Sequence, residues 1–202
     1  MKRFVFLLLL IPAIAIADDS RYHYVRDTFF WPIIYNHAYE DLYCGRPFPA
    51  GKRITVEHVY PADWIAEANE CKNRKNCDVE AYRVASSDLH NLWPAEQRYN
   101  SSRSSLPFGV IPENTPRFNN DECDFERTTG ENAIVEPRDE VKGDIARSML
   151  YMIWKYKLPD HGQTDLMLQW NMIDPPTDAE KARYKKNLEI QGNSNPYIEM
   201  WE

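Results

Sequence analysis

Thr55-Val56-Glu57-His58-Val59-Tyr60-Pro61-Ala62-Asp63-Trp64 is the stretch on which the fold of this chain turns. From Arg53 to Val59 the residues alternate and include β-branched Ile54, Thr55 and Val56, which predicts a strand stopped by Pro61. Pro61-Ala62-Asp63 then opens a helix through Trp64, Ile65 and Ala68. The strand ends in an adjacent carboxylate and imidazole, Glu57 and His58. Such a pair offers a hard oxygen ligand for a cation and a general base within one short segment. Successive strand residues point to opposite faces, so the two serve one site only where the strand twists or ends.

The residues downstream extend this pair into a constellation. Asp88 to Trp93 reads as a second short strand, and Pro94 begins a helix running toward Arg103. On that helix Asn100 and Arg103 are three apart and share a face. Between the strands, Arg74 sits in the loop Cys71-Lys72-Asn73-Arg74-Lys75-Asn76-Cys77. Strand, strand and Asn-bearing helix together form a clamp for one divalent ion. The other histidines read differently: His90, inside Asp88-Leu89-His90-Asn91-Leu92, is a hydrogen-bonded structural histidine, His37 and His161 are surface residues, and His23 carries no assignment.

Outside this block, Lys2 and Arg3 precede the apolar run Phe4–Ile11, and Ala15-Ile16-Ala17 supplies an A-x-A site. Residues 1–17 therefore read as a cleavable secretory signal, too short for a bilayer-spanning helix, and 18–202 as one mature domain with no membrane segment. Export makes disulfides the default for Cys44, Cys71, Cys77 and Cys123. Four cysteines allow three pairings; the short 71–77 loop favours Cys71 with Cys77, which leaves Cys44 with Cys123. A zinc site is the competing reading, but five residues between Cys71 and Cys77 miss the usual ligand spacing. Residues 20–43 are aromatic and predict one or two helices with Pro32 near a boundary; 106–137, rich in proline and acidic residues, predict an irregular exposed excursion. The last third is helical, with Ile145, Met149, Met152, Ile153 and Tyr156 on one apolar face and a capping box at Thr177 and Glu180 before a helix ending near Gly192. The fold class is thus α+β, mainly helical.

Several ordered motifs resemble the bacterial endonuclease I family of periplasmic and secreted non-specific nucleases, within the ββα-metal or His-Me finger superfamily. They are Val56–Trp64, Asn73-Arg74-Lys75-Asn76-Cys77, Asp88-Leu89-His90-Asn91-Leu92-Trp93-Pro94-Ala95 and Asn100-Ser101-Ser102-Arg103-Ser104. Gly143–Arg147 through Tyr151-Met152, and Ile190–Tyr197, extend the likeness over most of the mature chain. The resemblance implies a ββα-metal nuclease core within about 51–105. It also implies a monomeric Mg²⁺-dependent endonuclease, other divalent cations substituting, that cuts DNA to 5′-phosphate and 3′-hydroxyl ends; whether RNA is cut as well is left open by these residues. Its site residues would be His58 as general base, Glu57 and Asn100 as ligands of one ion, and Arg74 and Arg103 as phosphate donors; Arg103 reads equally well as a helix-surface ion pair.

The acidic balance, 24 basic against 31 acidic residues, argues against a strongly basic nucleic-acid binder. Residues 51–105, however, carry eight of each sign and are neutral, so a bound cation would turn that block positive. A modest, salt-sensitive affinity through phosphates is expected, without base readout. Two other classes compete: a disulfide-bonded binding module without catalysis, and a metal-dependent peptidase or esterase, whose H-E-x-x-H and G-x-S-x-G signatures the sequence lacks.

Overall fold

Aromatic side chains crowd the N-terminal segment, and they bury themselves by helix formation. α1 (Asp19–Val25) runs into a wider, π-type helical segment, Arg26–Ile34. Pro32 lies inside that segment rather than at its boundary. The computed structural model describes residues 19–116, 118–120 and 123–201, so the expected leader, 1–17, lies outside the described residues. Phe30, Trp31, Ile34 and Tyr35 form a buried aromatic cluster with Tyr39, Leu89 and Leu92.

Two short antiparallel strands follow, β1 (Tyr39–Glu40) and β2 (Pro47–Phe48), then β3 (Thr55–His58) and α2 (Ala62–Ala68), as the β-branched run and Pro61 predict. A single 3₁₀ turn, Arg74–Asn76, and α3 (Glu80–Ser86), which the sequence reading did not place, lead to β4 (Leu92–Ala95) and α4 (Gln97–Arg103). Pro94 therefore belongs to the strand, pairing in register with Val56, and the helix begins three residues later. A proline needs no N–H partner, and the Pro94 carbonyl takes the Leu42 N–H at 2.8 Å, so the position suits a short two-stranded ribbon.

The 106–137 region departs from the irregular excursion expected. β5 (Phe118–Asn120), β6 (Cys123–Arg127) and β7 (Val135–Pro137) form an antiparallel sheet, and Phe108, Ile111, Cys123, Phe125 and Val135 are buried. Asp124 is exposed between buried Cys123 and Phe125. Asp124 faces solvent, Glu136 is held by Lys142, and the residues that alternate with them fill the core, a pattern that composition alone does not reveal. Cys44 is bonded to Cys123, tying this sheet to the loop after β1, and Cys71 is bonded to Cys77.

The helical third comprises α5 (Lys142–Tyr156), α6 (Thr164–Ile173), α7 (Asp178–Gln191) and α8 (Pro196–Glu199). Ile145, Met149 and Met152 are buried as the period predicts, each such side chain stabilising the fold by about 1.5–3 kcal/mol. But α5 is buried on its polar face too, from Lys142 to Met152. Arg147, 1% exposed, donates from Nε to Glu180 Oε1 (2.8 Å) and from Nη2 to Oε2 (2.5 Å), and its Nη1 reaches the Asp174 carbonyl (2.6 Å). Half of the capping box is realised: the Thr177 hydroxyl accepts the Glu180 N–H (3.1 Å), while the Glu180 carboxylate turns to Arg147 instead of back to Thr177. Among the described residues no helix is long and apolar enough to cross a membrane.

Replacing Glu180 with alanine removes the bidentate partner of the buried Arg147 guanidinium and leaves it Asp144, at 3.2 Å, as its counter-charge. Urea unfolding of Glu180→Ala is expected to show a loss of about 3–5 kcal/mol, the range for breaking one partner of a buried pair.

Candidate active site

β3 and β4 pair antiparallel, Glu57 opposite Trp93 and His58 opposite Leu92. Past His58 the ladder continues through a side chain. Val59 N–H donates to the Asn91 carbonyl (3.1 Å); the Asn91 amide then accepts the Tyr60 N–H (2.7 Å) and donates to the Tyr60 carbonyl (2.9 Å). Asn91 is fully buried and stands in for a strand partner where the chain turns toward Pro61. The backbone immediately behind His58 is thereby fixed.

A cleft of about 830 Å³ opens over this corner, and Glu57, His58, Arg74 and Asn100 all line it. Glu57 is 3% exposed. Its Oε1 accepts the Tyr43 hydroxyl (2.6 Å) and faces Arg103 Nη1 at 3.3 Å. Burial nevertheless pushes this carboxyl up to about 7, against the pull of Arg103 and the Tyr43 hydrogen bond. His58 Nε2 lies 2.8 Å from the Ser86 carbonyl. A carbonyl only accepts, so Nε2 carries the proton and Nδ1 bears the lone pair. Burial pulls this imidazole down to about 4, with Arg74 and Arg103 adding to the effect and the Ser86 bond opposing it, so the ring is neutral at neutral pH.

Asn100 uses its amide nitrogen on Thr55 Oγ1 (3.0 Å) and the Val56 carbonyl (3.2 Å), which leaves the Oδ1 oxygen for a cation. Arg74 is half exposed on the disulfide-closed turn, its Nε 3.5 Å from Asp63 Oδ1. Asp63 also accepts the Ser105 hydroxyl at 2.9 Å, and its charge lies on the Nε side of the guanidinium, away from the Nη fork. Arg103 fits neither reading offered by the sequence. It is fully buried beneath the cleft, with Nη1 on the His58 carbonyl (3.2 Å) and Nη2 on the Val59 carbonyl (2.7 Å), and its guanidinium lies 4.6 Å from the Phe108 ring centroid. It is the counter-charge of Glu57, and its burial keeps it from the surface on which a phosphate would lie.

His90 lies outside this cleft. It is buried, Nε2 bonding the Asn193 carbonyl (3.0 Å) with the ring 4.6 Å from that of Tyr151. His37 is exposed, and His161 stacks on Trp64 at 4.1 Å. His23 lines the cleft beside Tyr22. Asp41, Cys44 and Glu96 also approach one another. Cys44 is in a disulfide, Asp41 accepts the Cys44 and Arg46 N–H groups, and Glu96 faces Arg46 at 3.3 Å, so this group has no thiolate and its two carboxylates already have partners.

Three contributors were not found in the sequence: Tyr43, which steadies Glu57; Asp63, which steadies Arg74; and Tyr22, from outside the strand–strand–helix unit. Asp63 alone had a local signal, its place in the quoted stretch.

The model of the family described as endonuclease I matches residues 15–202. "Endonuclease-1" of Buchnera aphidicola subsp. Acyrthosiphon pisum is 35% identical over 153 residues, covering 72% of this chain and 59% of that one. A "Periplasmic deoxyribonuclease" of Aeromonas hydrophila is 31% identical over 152 residues (73% and 63%), and an "Extracellular ribonuclease" of Bacillus subtilis is 30% identical over 159 (68% and 51%). The alignments with the two Buchnera relatives thus span about three fifths of those proteins' length.

Asn91→Ala leaves two buried backbone groups of Tyr60 unpaired. Chemical denaturation of this variant is expected to show at least about 2 kcal/mol of lost stability.

Proposed function

The chain belongs to the endonuclease I family, and we propose that it is a periplasmic or secreted endonuclease hydrolysing phosphodiester bonds in DNA, with RNA as a second substrate. The products are 5′-phosphate and 3′-hydroxyl ends. Two disulfides suit an oxidising compartment, and relatives named as periplasmic and extracellular nucleases support the location. The observation that carries the reading is a neutral imidazole tethered at Nε2, its other nitrogen free, in one cleft with a buried carboxylate and an oriented amide oxygen.

His58 accepts the proton of the attacking water at Nδ1, while the Ser86 carbonyl keeps the ring in the required tautomer. Glu57 and Asn100 fit a hard cation: both offer oxygens, Tyr43 and Arg103 engage only Oε1 of Glu57, and the buried carboxylate gains from a positive partner. We assign them one Mg²⁺, replaceable by other divalent cations; few protein ligands suit an ion that keeps several waters. When bound, such an ion withdraws charge from the phosphate and the leaving oxygen. Arg74 donates its Nη fork to the phosphate, with Asp63 holding Nε. Arg103 acts on the site from beneath, through Glu57 and through the carbonyls of His58 and Val59. Contacts confined to phosphate leave sequence preference low.

Plasmid digestion under oxidising conditions tests the reading. Mg²⁺ supports cleavage, EDTA abolishes it, and His58→Ala lowers the rate by about 10²–10⁴-fold. Full activity in His58→Ala removes the base assignment, and no cleavage by the wild type returns the chain to the class of binding modules. Verified reduction of Cys71–Cys77 is expected to lower the cleavage rate before circular dichroism records unfolding, because the disulfide closes the loop that carries Arg74.

A further inference from the structure

The strand–strand–helix corner does not hold His58 alone. Tyr22, on α1, has its ring centroid 5.2 Å from that of His58, the planes inclined by 38°. Tyr22 is engaged in its turn: the Arg26 guanidinium lies over its ring at 5.7 Å, and His23 meets it edge-on at 5.4 Å. α1 packs against α3, whose last residue, Ser86, provides the carbonyl that binds His58 Nε2. One short segment therefore reaches the imidazole by two routes, through the ring contact and through the helix behind Ser86.

A ring tethered at one nitrogen still rocks about that hydrogen bond. A second contact against the ring removes this freedom, and near-attack geometry tolerates little of it. We propose that Tyr22 is a positioning residue for the reaction, holding the His58 imidazole so that Nδ1 faces the attacking water. The inference rests on the base role assigned to His58 above. Burial pushes the Tyr22 phenol up, so it stays neutral beside the base and takes no proton from it at the working pH. The phenol ring makes the contact with the imidazole, and its hydroxyl is hydrogen-bonded to the Arg26 side chain. The nuclease corner within 51–105 is thus completed by a residue about thirty positions before it, on a helix that belongs to neither strand.

Steady-state kinetics on plasmid DNA with Mg²⁺ and NMR of the histidine rings test this together. In the substrate-free wild type, cross-relaxation between Tyr22 and His58 ring protons and a single Nε2–H tautomer of His58 are expected; absence of either overturns the proposal without any variant. Tyr22→Phe, which keeps the ring contact and loses only the Arg26 hydrogen bond, is expected to retain most of the kcat that Tyr22→Leu loses, together with the His58 signature. Tyr22→Leu is expected to lower kcat by about 10- to 100-fold with KM unchanged, and to broaden the His58 ring signals while the Nε2–H tautomer, held by the Ser86 carbonyl, persists. A raised KM at constant kcat would make Tyr22 a substrate contact, and an unchanged kcat with an unchanged His58 spectrum would remove its role. The NMR arm needs neither metal nor substrate, so failure here is distinct from failure of the base assignment, which His58→Ala reads separately.

Discussion

A carboxylate taken out of water beneath a cleft is the constraint to which the rest of this structure answers. Glu57 cannot stay buried without a partner, and the fold supplies two, the Arg103 guanidinium and the Tyr43 hydroxyl. Each brings its own element into place. Arg103 fixes the end of α4, which carries Asn100 on the same helix, and its other donors take the carbonyls of His58 and Val59 at the strand end. Tyr43 precedes Cys44, whose bond to Cys123 anchors the three-stranded sheet. The groups that make Glu57 tolerable are therefore the ones that align His58 and Asn100 beside it.

Buried arginine recurs as the structural device of this chain. Arg147 joins α5 to Glu180 of α7 and to the Asp174 carbonyl. Arg183, on α7, donates to the Leu89 and Leu92 carbonyls at 2.6 Å each and lies 3.9 Å from the Trp93 ring centroid. A guanidinium has five donors in a fixed plane, so one side chain can satisfy several loop carbonyls that no strand or helix serves. In this way the helical third grips the two-stranded corner from behind while the N-terminal helix closes it from the side.

The periodic parts of this arrangement were legible in the sequence. The β-branched run before Pro61, the apolar stripe of α5 and the Thr177 cap all concern neighbours within a few residues, where spacing maps directly onto geometry. Asn100 and Arg103 did fall three apart on one helix, yet one reaches the cleft and the other lies buried beneath it, since helical spacing gives a shared face without giving what covers it. Composition misread 106–137, where acidic residues such as Asp124 and Glu136 alternate along strands with residues that fill the core. The burial of the polar side of α5 has no local signal either: Arg147 is buried because Glu180, 33 positions away, is brought against it.

The sequence by itself determined an α+β chain with a Glu57-His58 strand end, an Asn-bearing helix and an arginine loop closed by two cysteines, and from these motifs the family. Only the tertiary structure decided which arginine meets the cleft, which nitrogen of His58 is free and that Tyr22 reaches the imidazole. Those outcomes depend on burial and on contacts between residues far apart in the chain. A charged side chain has the same symbol at the surface and in the interior; what it can do is set by the dielectric and the partners that folding places around it.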